Sequence, residues 1–136
     1  MLDCQSKLGG DPSAGAAILV NSGNANAFTG KNGTDAVNAI TSAVTATTDI
    51  PQARVFTSST GVIGEPLSHD RITAKLEELK QAQSPGGIAD AAKAIMTTDT
   101  FAKGASTTVT INGKPVKIAG IANGSGMIAP AMATML

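Results

Sequence analysis

Apolar and polar positions along this chain switch between the spacing of strands and the spacing of helices. Ala16-Ala17-Ile18-Leu19-Val20 is a short unbroken apolar run, which predicts a buried strand. It leads into Asn21-Ser22-Gly23-Asn24-Ala25-Asn26-Ala27, a predicted loop of small residues in which Gly and Asn tolerate positive φ. Ala36, Val37, Ile40, Ala43 and Val44 then fall on one helical face, with Thr34 as the predicted N-cap and Pro51 closing the segment. Arg54-Val55-Phe56-Thr57-Ser58 predicts a second strand, followed by a second small-residue loop, Ser59-Thr60-Gly61-Val62-Ile63-Gly64. Ser68 can cap a helix that turns Ile72, Leu76 and Leu79 inward, and Ile88, Ala91, Ala92, Ile95 and Met96 mark a third helix.

A hairpin follows. Thr107–Ile111 and Val116–Ala119 flank Asn112-Gly113, the dipeptide best suited to a type I′ turn, with Pro115 demoting the start of the second strand to an edge. Strands alternating with helices and then a hairpin argue for a mixed sheet with helices packed on it. The glycine-rich fingerprints of nucleotide-binding folds are absent from the sequence.

Composition narrows the function classes. The 136 residues suit one domain, but aromatics make up only 2% of them, so the core must be built from Ala, Val, Ile, Leu and Met. Such a core packs closely with little area to spare, a hint that the chain leans on a partner surface. Ten basic and ten acidic residues cancel, and no Lys/Arg cluster offers a nucleic-acid or anionic-membrane footprint. The apolar runs are too short to span a bilayer. The Met1-Leu2-Asp3-Cys4 start lacks the basic and apolar regions of a secretory signal. Cys4, alone, cannot form an internal disulfide, and the single His69 rules out a multi-histidine metal site, so a cytoplasmic, metal-free protein is expected.

Few catalytic sets remain. Without a Cys/His pair or a serine elbow, a hydroxyl nucleophile needs another base, and the α-amine of an N-terminal threonine is one solution. Its pKa of about 7.7–8.0 suits general-base work near neutral pH. Thr134 fits that chemistry: the small Ala133 before it lets its hydroxyl reach the Ala133 carbonyl, giving an N→O acyl shift whose ester hydrolyses to free the threonine amine. Taken alone, Ala-Thr is a common dipeptide. The Thr60-Gly61 pair is a candidate oxyanion site, since a glycine N–H approaches a ligand closely and a hydroxyl adds a second donor.

Four segments in order, Val20-Asn21-Ser22-Gly23-Asn24-Ala25-Asn26-Ala27-Phe28-Thr29-Gly30, Ser59-Thr60-Gly61-Val62-Ile63-Gly64, Met96-Thr97-Thr98-Asp99-Thr100, and Gly124–Pro130 with Met132-Ala133-Thr134-Met135-Leu136, resemble the ornithine acetyltransferase family of arginine biosynthesis. The resemblance covers nearly the whole chain from about Leu2. It implies an α+β fold, a four-layer α/β/β/α sandwich with mixed sheets. Residues 1–136 would be its α-chain portion, without the family's N-terminal segment of several dozen residues and without the β chain.

The resemblance implies a precursor that cuts itself between Ala133 and Thr134, with both products retained in an α₂β₂ assembly. Thr134 would carry acetyl from N-acetylornithine, or in some members from acetyl-CoA, to glutamate. Thr60 and Gly61 would form the oxyanion hole, and Thr97 and position 123 would contact substrate; no cofactor is implied. The sequence departs from the family pattern in having Asn123 where Lys is usual and Ala131 where a polar residue is usual. Two other readings fit the same residues: an inactive truncated fragment or partner subunit, and a self-cleaving amidohydrolase of similar fold in which water accepts the acyl group.

Overall fold

The computed structural model describes residues 2–126 and residue 136. In chain order the elements are α1 (Leu2–Ser6), β1 (Ala17–Asn24), α2 (Gly30–Thr48), β2 (Val55–Val62), α3 (His69–Thr73), α4 (Leu76–Ala82), α5 (Ile88–Ala94), β3 (Lys103–Ile111) and β4 (Lys114–Ala122). β1 and β2 pair in parallel from Ala17 opposite Val55 to Asn24 opposite Val62. β3 and β4 form a separate antiparallel pair. The class is thus α+β, with parallel pairing in one sheet and antiparallel pairing in the other, as part of the larger arrangement the resemblance implies.

The core lies between α2 and the parallel pair. Ala36, Ile40 and Val44 are spaced i, i+4, i+8 on α2 and meet Val55, Leu67 and Leu76, with Ala17 and Leu19 packed at the edge. Val55 is 0% exposed. Burying an aliphatic side chain of this kind stabilises the fold by about 1.5–3 kcal/mol, and the aromatic-poor composition means that this small cluster carries the packing. Residues alternate across a strand, so Ile18, between Ala17 and Leu19, faces away from α2 and is 75% exposed.

Three boundaries differ from the sequence reading, each for a local reason. Both parallel strands run on through segments expected to be loops, because a backbone ladder does not require apolar side chains. The small residues there allow close approach: a Cβ on Gly61 would lie 2.3 Å from the Gly23 carbonyl carbon. α2 begins at Gly30, four residues before the predicted cap at Thr34. The reason is a side-chain brace. The Thr29 hydroxyl donates to Asn26 Oδ1 (2.6 Å), and Asn26 Nδ2 donates to the Gly33 carbonyl (3.0 Å). A Cβ on Gly33 would sit 2.1 Å from Thr29 Oγ1, so the brace needs glycine there.

The helix expected from Ser68 through Leu79 breaks into α3 and α4. The Lys75 N–H bonds three residues back to the Ile72 carbonyl (3.0 Å), a tightened turn. Ser68 makes no side-chain cap bond, and Leu79 is half exposed rather than inward. Ile88 and Ala91 of α5 also face out, leaving Ala92 as its buried residue, with Ile95 buried just past its end. The hairpin forms as expected: Asn112 and Gly113 take φ of 50° and 75°. Pro115 pairs with Thr110 in a sheet whose two strands are both edges, where a missing N–H is tolerated.

Gly61 has φ of 126°, a conformation closed to other residues, besides its contact with Gly23. Gly61→Ala is expected to destabilise the fold by about 2–5 kcal/mol, combining backbone strain with overpacking. Urea unfolding of the two proteins measures it, and an unchanged midpoint would contradict the close strand contact.

Candidate active site

Two sheets and one helix meet at a polar cluster. Thr60 stands near the end of β2, where the strand has passed from the apolar core to small polar residues, and its side chain is buried. In the next strand Ser22, opposite Thr60, donates its hydroxyl proton to the Ala94 carbonyl (2.6 Å). That bond satisfies one of the orphan carbonyls at the end of α5 and draws the helix onto the sheet. The following carbonyl, of Ile95, accepts from Asn123 Nδ2 (2.7 Å), just beyond β4. The two sheets are therefore tied through the C-terminal end of one short helix.

Asn123 is the hub. It is 1% exposed, and each of its polar side-chain atoms has a partner. Nδ2 donates to Ile95 O, to Thr97 Oγ1 (3.1 Å) and to Asp99 Oδ2 (3.2 Å), while Oδ1 accepts the Thr60 hydroxyl proton (3.2 Å). Its backbone N–H donates to the carbonyl of Leu136 (2.9 Å).

Asp99 supports the hub from below. Its carboxylate accepts the Gly124 N–H (2.9 Å), the Thr97 N–H (3.2 Å), the Asn123 amide and the Lys103 ammonium. The Lys103 hydrogen bond, followed by those from Gly124 and Thr97, holds the Asp99 carboxyl well below the usual carboxylate range, against the opposing effect of burial. Lys103 also lies 4.8 Å from the centre of the Phe101 ring, which helps fix its side chain.

Thr60, Thr97 and Asn123, singled out in the sequence, are thus brought into one hydrogen-bonded network. Gly61 is next to it, fitted against Gly23. Ala133 and Thr134 lie outside the described residues. Sequence reasoning missed Asp99, Lys103 and Ser22. Asp99 stood inside the Met96-Thr97-Thr98-Asp99-Thr100 motif without a role, and its i, i+4 spacing to Lys103 was the available signal. Among the described residues no group of three or more His, Cys, Asp and Glu could hold a metal ion, and no helix is long and apolar enough to cross a membrane.

A model of the ArgJ family matches residues 3–136. The chain belongs to the ArgJ family. It is 67% identical over all 136 residues to the arginine biosynthesis bifunctional protein ArgJ of Ruegeria pomeroyi, covering 33% of that protein. Its identity to the ArgJ of Caulobacter vibrioides is 55% over 88% of the chain, or 30% of that protein. The chain therefore spans about a third of the length of the curated ArgJ relatives it matches. Among solved structures, ArgJ of Bacillus halodurans is similar with a TM-score of 0.81 and 38% identity, over 97% of this chain and 69% of that one. The ornithine acetyltransferase of Mycobacterium tuberculosis, solved with ornithine, is similar with a TM-score of 0.77 and 32% identity, over the same shares.

The depressed Asp99 pKa ties stability to pH. A carboxylate whose folded pKa lies below its unfolded value, about 3.9, stabilises the fold fully above that value and loses the contribution as pH falls toward the folded pKa. The melting temperature is expected to fall as pH drops below about 4, and Asp99→Asn to lower it at pH 7 while weakening that acid dependence. Thermal melts from pH 7 to pH 2 check this; an Asp99→Asn curve parallel to the parent curve would remove Asp99 from the role.

Proposed function

We propose that this chain is the α-chain portion of a cytoplasmic acetyltransferase of arginine biosynthesis. The complete protein moves acetyl from N-acetylornithine to glutamate, with acetyl-CoA as a possible second donor class. The observation that carries the reading is the network joining Thr60 and Thr97, from two of the motifs shared with the family, through Asn123, which directly precedes a third and lies 63 positions from Thr60.

The chemistry has two stages. In the precursor the Thr134 hydroxyl attacks the Ala133 carbonyl carbon, the peptide nitrogen leaves and takes a proton, and water hydrolyses the resulting ester. The freed amine then accepts the Thr134 hydroxyl proton as its oxygen attacks the acetyl carbonyl of N-acetylornithine. The proton passes to the departing ornithine amine, leaving an acetyl ester on Thr134. The glutamate amine attacks that ester and restores the hydroxyl. The Thr60-Gly61 segment stabilises the oxyanion in each half, and Thr97 contacts the amino-acid substrate. Exposed apolar residues such as Ile18 and Ile118 favour a covering β chain and an α₂β₂ assembly.

In the full-length protein, Thr134→Ala is expected to leave the precursor uncut and without transfer activity, since it has no hydroxyl to attack with, while Thr134→Ser retains partial cutting. Intact mass and a glutamate acetylation assay read both stages. Efficient cutting at Ala133–Thr134 in the Ala variant would overturn the assignment, and an efficiently cut parent that transfers acetyl only to water would favour an amidohydrolase.

A further inference from the structure

The orientation of the Asn123 amide is not free. Its nitrogen faces the Ile95 carbonyl (2.7 Å), the Thr97 hydroxyl oxygen (3.1 Å) and the Asp99 carboxylate (3.2 Å). The carbonyl and the carboxylate can only accept, so the NH₂ end must point toward them and the amide oxygen must point toward Thr60. An amide oxygen has no proton to give. The Thr60 hydroxyl, 3.2 Å away, is therefore the donor of that bond, and a hydroxyl has one proton.

Two consequences follow from that count. Asn123, 1% exposed with both amide hydrogens directed to protein acceptors, has no spare donor for a substrate. Thr60, also buried, cannot give its proton to Asn123 and to an oxyanion at once. Resting on the acetyl-transfer reading above, we propose that Asn123 is a positioning residue that holds the Thr60 hydroxyl proton, so that oxyanion stabilisation by the Thr60-Gly61 segment comes from the Gly61 backbone N–H, which the alternation of the ladder turns away from β1, rather than from the Thr60 side chain. Lys103 and Asp99 stand behind it: the ion pair keeps the carboxylate an acceptor, and the carboxylate keeps the Asn123 amide turned.

The test compares Thr60→Val with its parent in two backgrounds of the full-length protein, wild type and Asn123→Ala. Removing a true oxyanion donor costs about 10²–10³ in kcat. With Asn123 present, Thr60→Val is expected to change kcat by less than about tenfold, whereas in Asn123→Ala, where the hydroxyl is released, it should cost about tenfold more than that. A loss of 10²–10³ from Thr60→Val in the wild-type background, or the same fold-loss in both backgrounds, would overturn the proposal. If Asn123→Ala does not fold, the wild-type arm decides alone, with Thr60→Ser as the variant expected to keep the parental melting temperature. A full-length parent that transfers no acetyl would instead sink the functional reading. The inference is then read on melting temperatures: Thr60→Val should lower Tm with Asn123 present and leave it unchanged in Asn123→Ala, and an equal shift in both would count against it.

Discussion

A carboxylate shut away from water must find donors within the protein, and Asp99 finds four of them on three separate segments. The rest of the site depends on that constraint. Gly124 is held at the exit of β4, Thr97 is held in the turn after α5, and Asn123 is turned with its oxygen outward toward Thr60. Lys103 balances the charge, so the group stays ionised where an isolated buried carboxylate would take up a proton. Removing any one donor leaves the others with a less well satisfied partner, which makes the cluster cooperative rather than a sum of pairs.

The two small sheets would have little reason to stay in register without this polar joint. α2 covers one face of the parallel pair through Ala36, Ile40 and Val44, but the hairpin shares no part of that core. Among the described residues it is linked to the parallel sheet by the Thr60–Asn123 hydrogen bond and through α5, whose terminal carbonyls take one hydrogen bond from Ser22 of β1 and one from Asn123 beyond β4. Unsatisfied helix-end carbonyls are a general need of any helix. Here that need is met by side chains from both sheets, and so the helix end becomes the place where site residues meet.

The chain's small residues serve approach rather than flexibility. Gly61 lies against Gly23 so closely that a methyl group would overlap the neighbouring backbone, and Gly33 admits the Asn26–Thr29 brace that starts α2 early. Gly61 reads as loop by composition, and Gly33 lies ahead of the predicted helix start at Thr34. Their actual role is to bring strand to strand and loop to helix, which carries Thr60 to the edge of the polar cluster.

Local periodicity was enough to find the apolar halves of both parallel strands, the core face of α2, and the hairpin with its Asn112-Gly113 turn, because those signals lie between residues a few positions apart. The motifs around Thr60, Thr97 and Asn123 were equally legible, and with them the family. Strand ends were not, since Asn21–Asn24 and Ser59–Val62 are held by a ladder to each other rather than by any pattern of their own. Nor were the roles of Asp99 and Lys103. A carboxylate in a Thr-rich turn has no preferred partner until folding removes its water, and the direction of the Thr60 proton depends on an amide 63 positions away. The sequence by itself determined which residues could carry the chemistry; the tertiary structure alone decided which of their few protons and lone pairs remain available, because a hydrogen bond between distant segments exists only once burial has taken away the competing solvent.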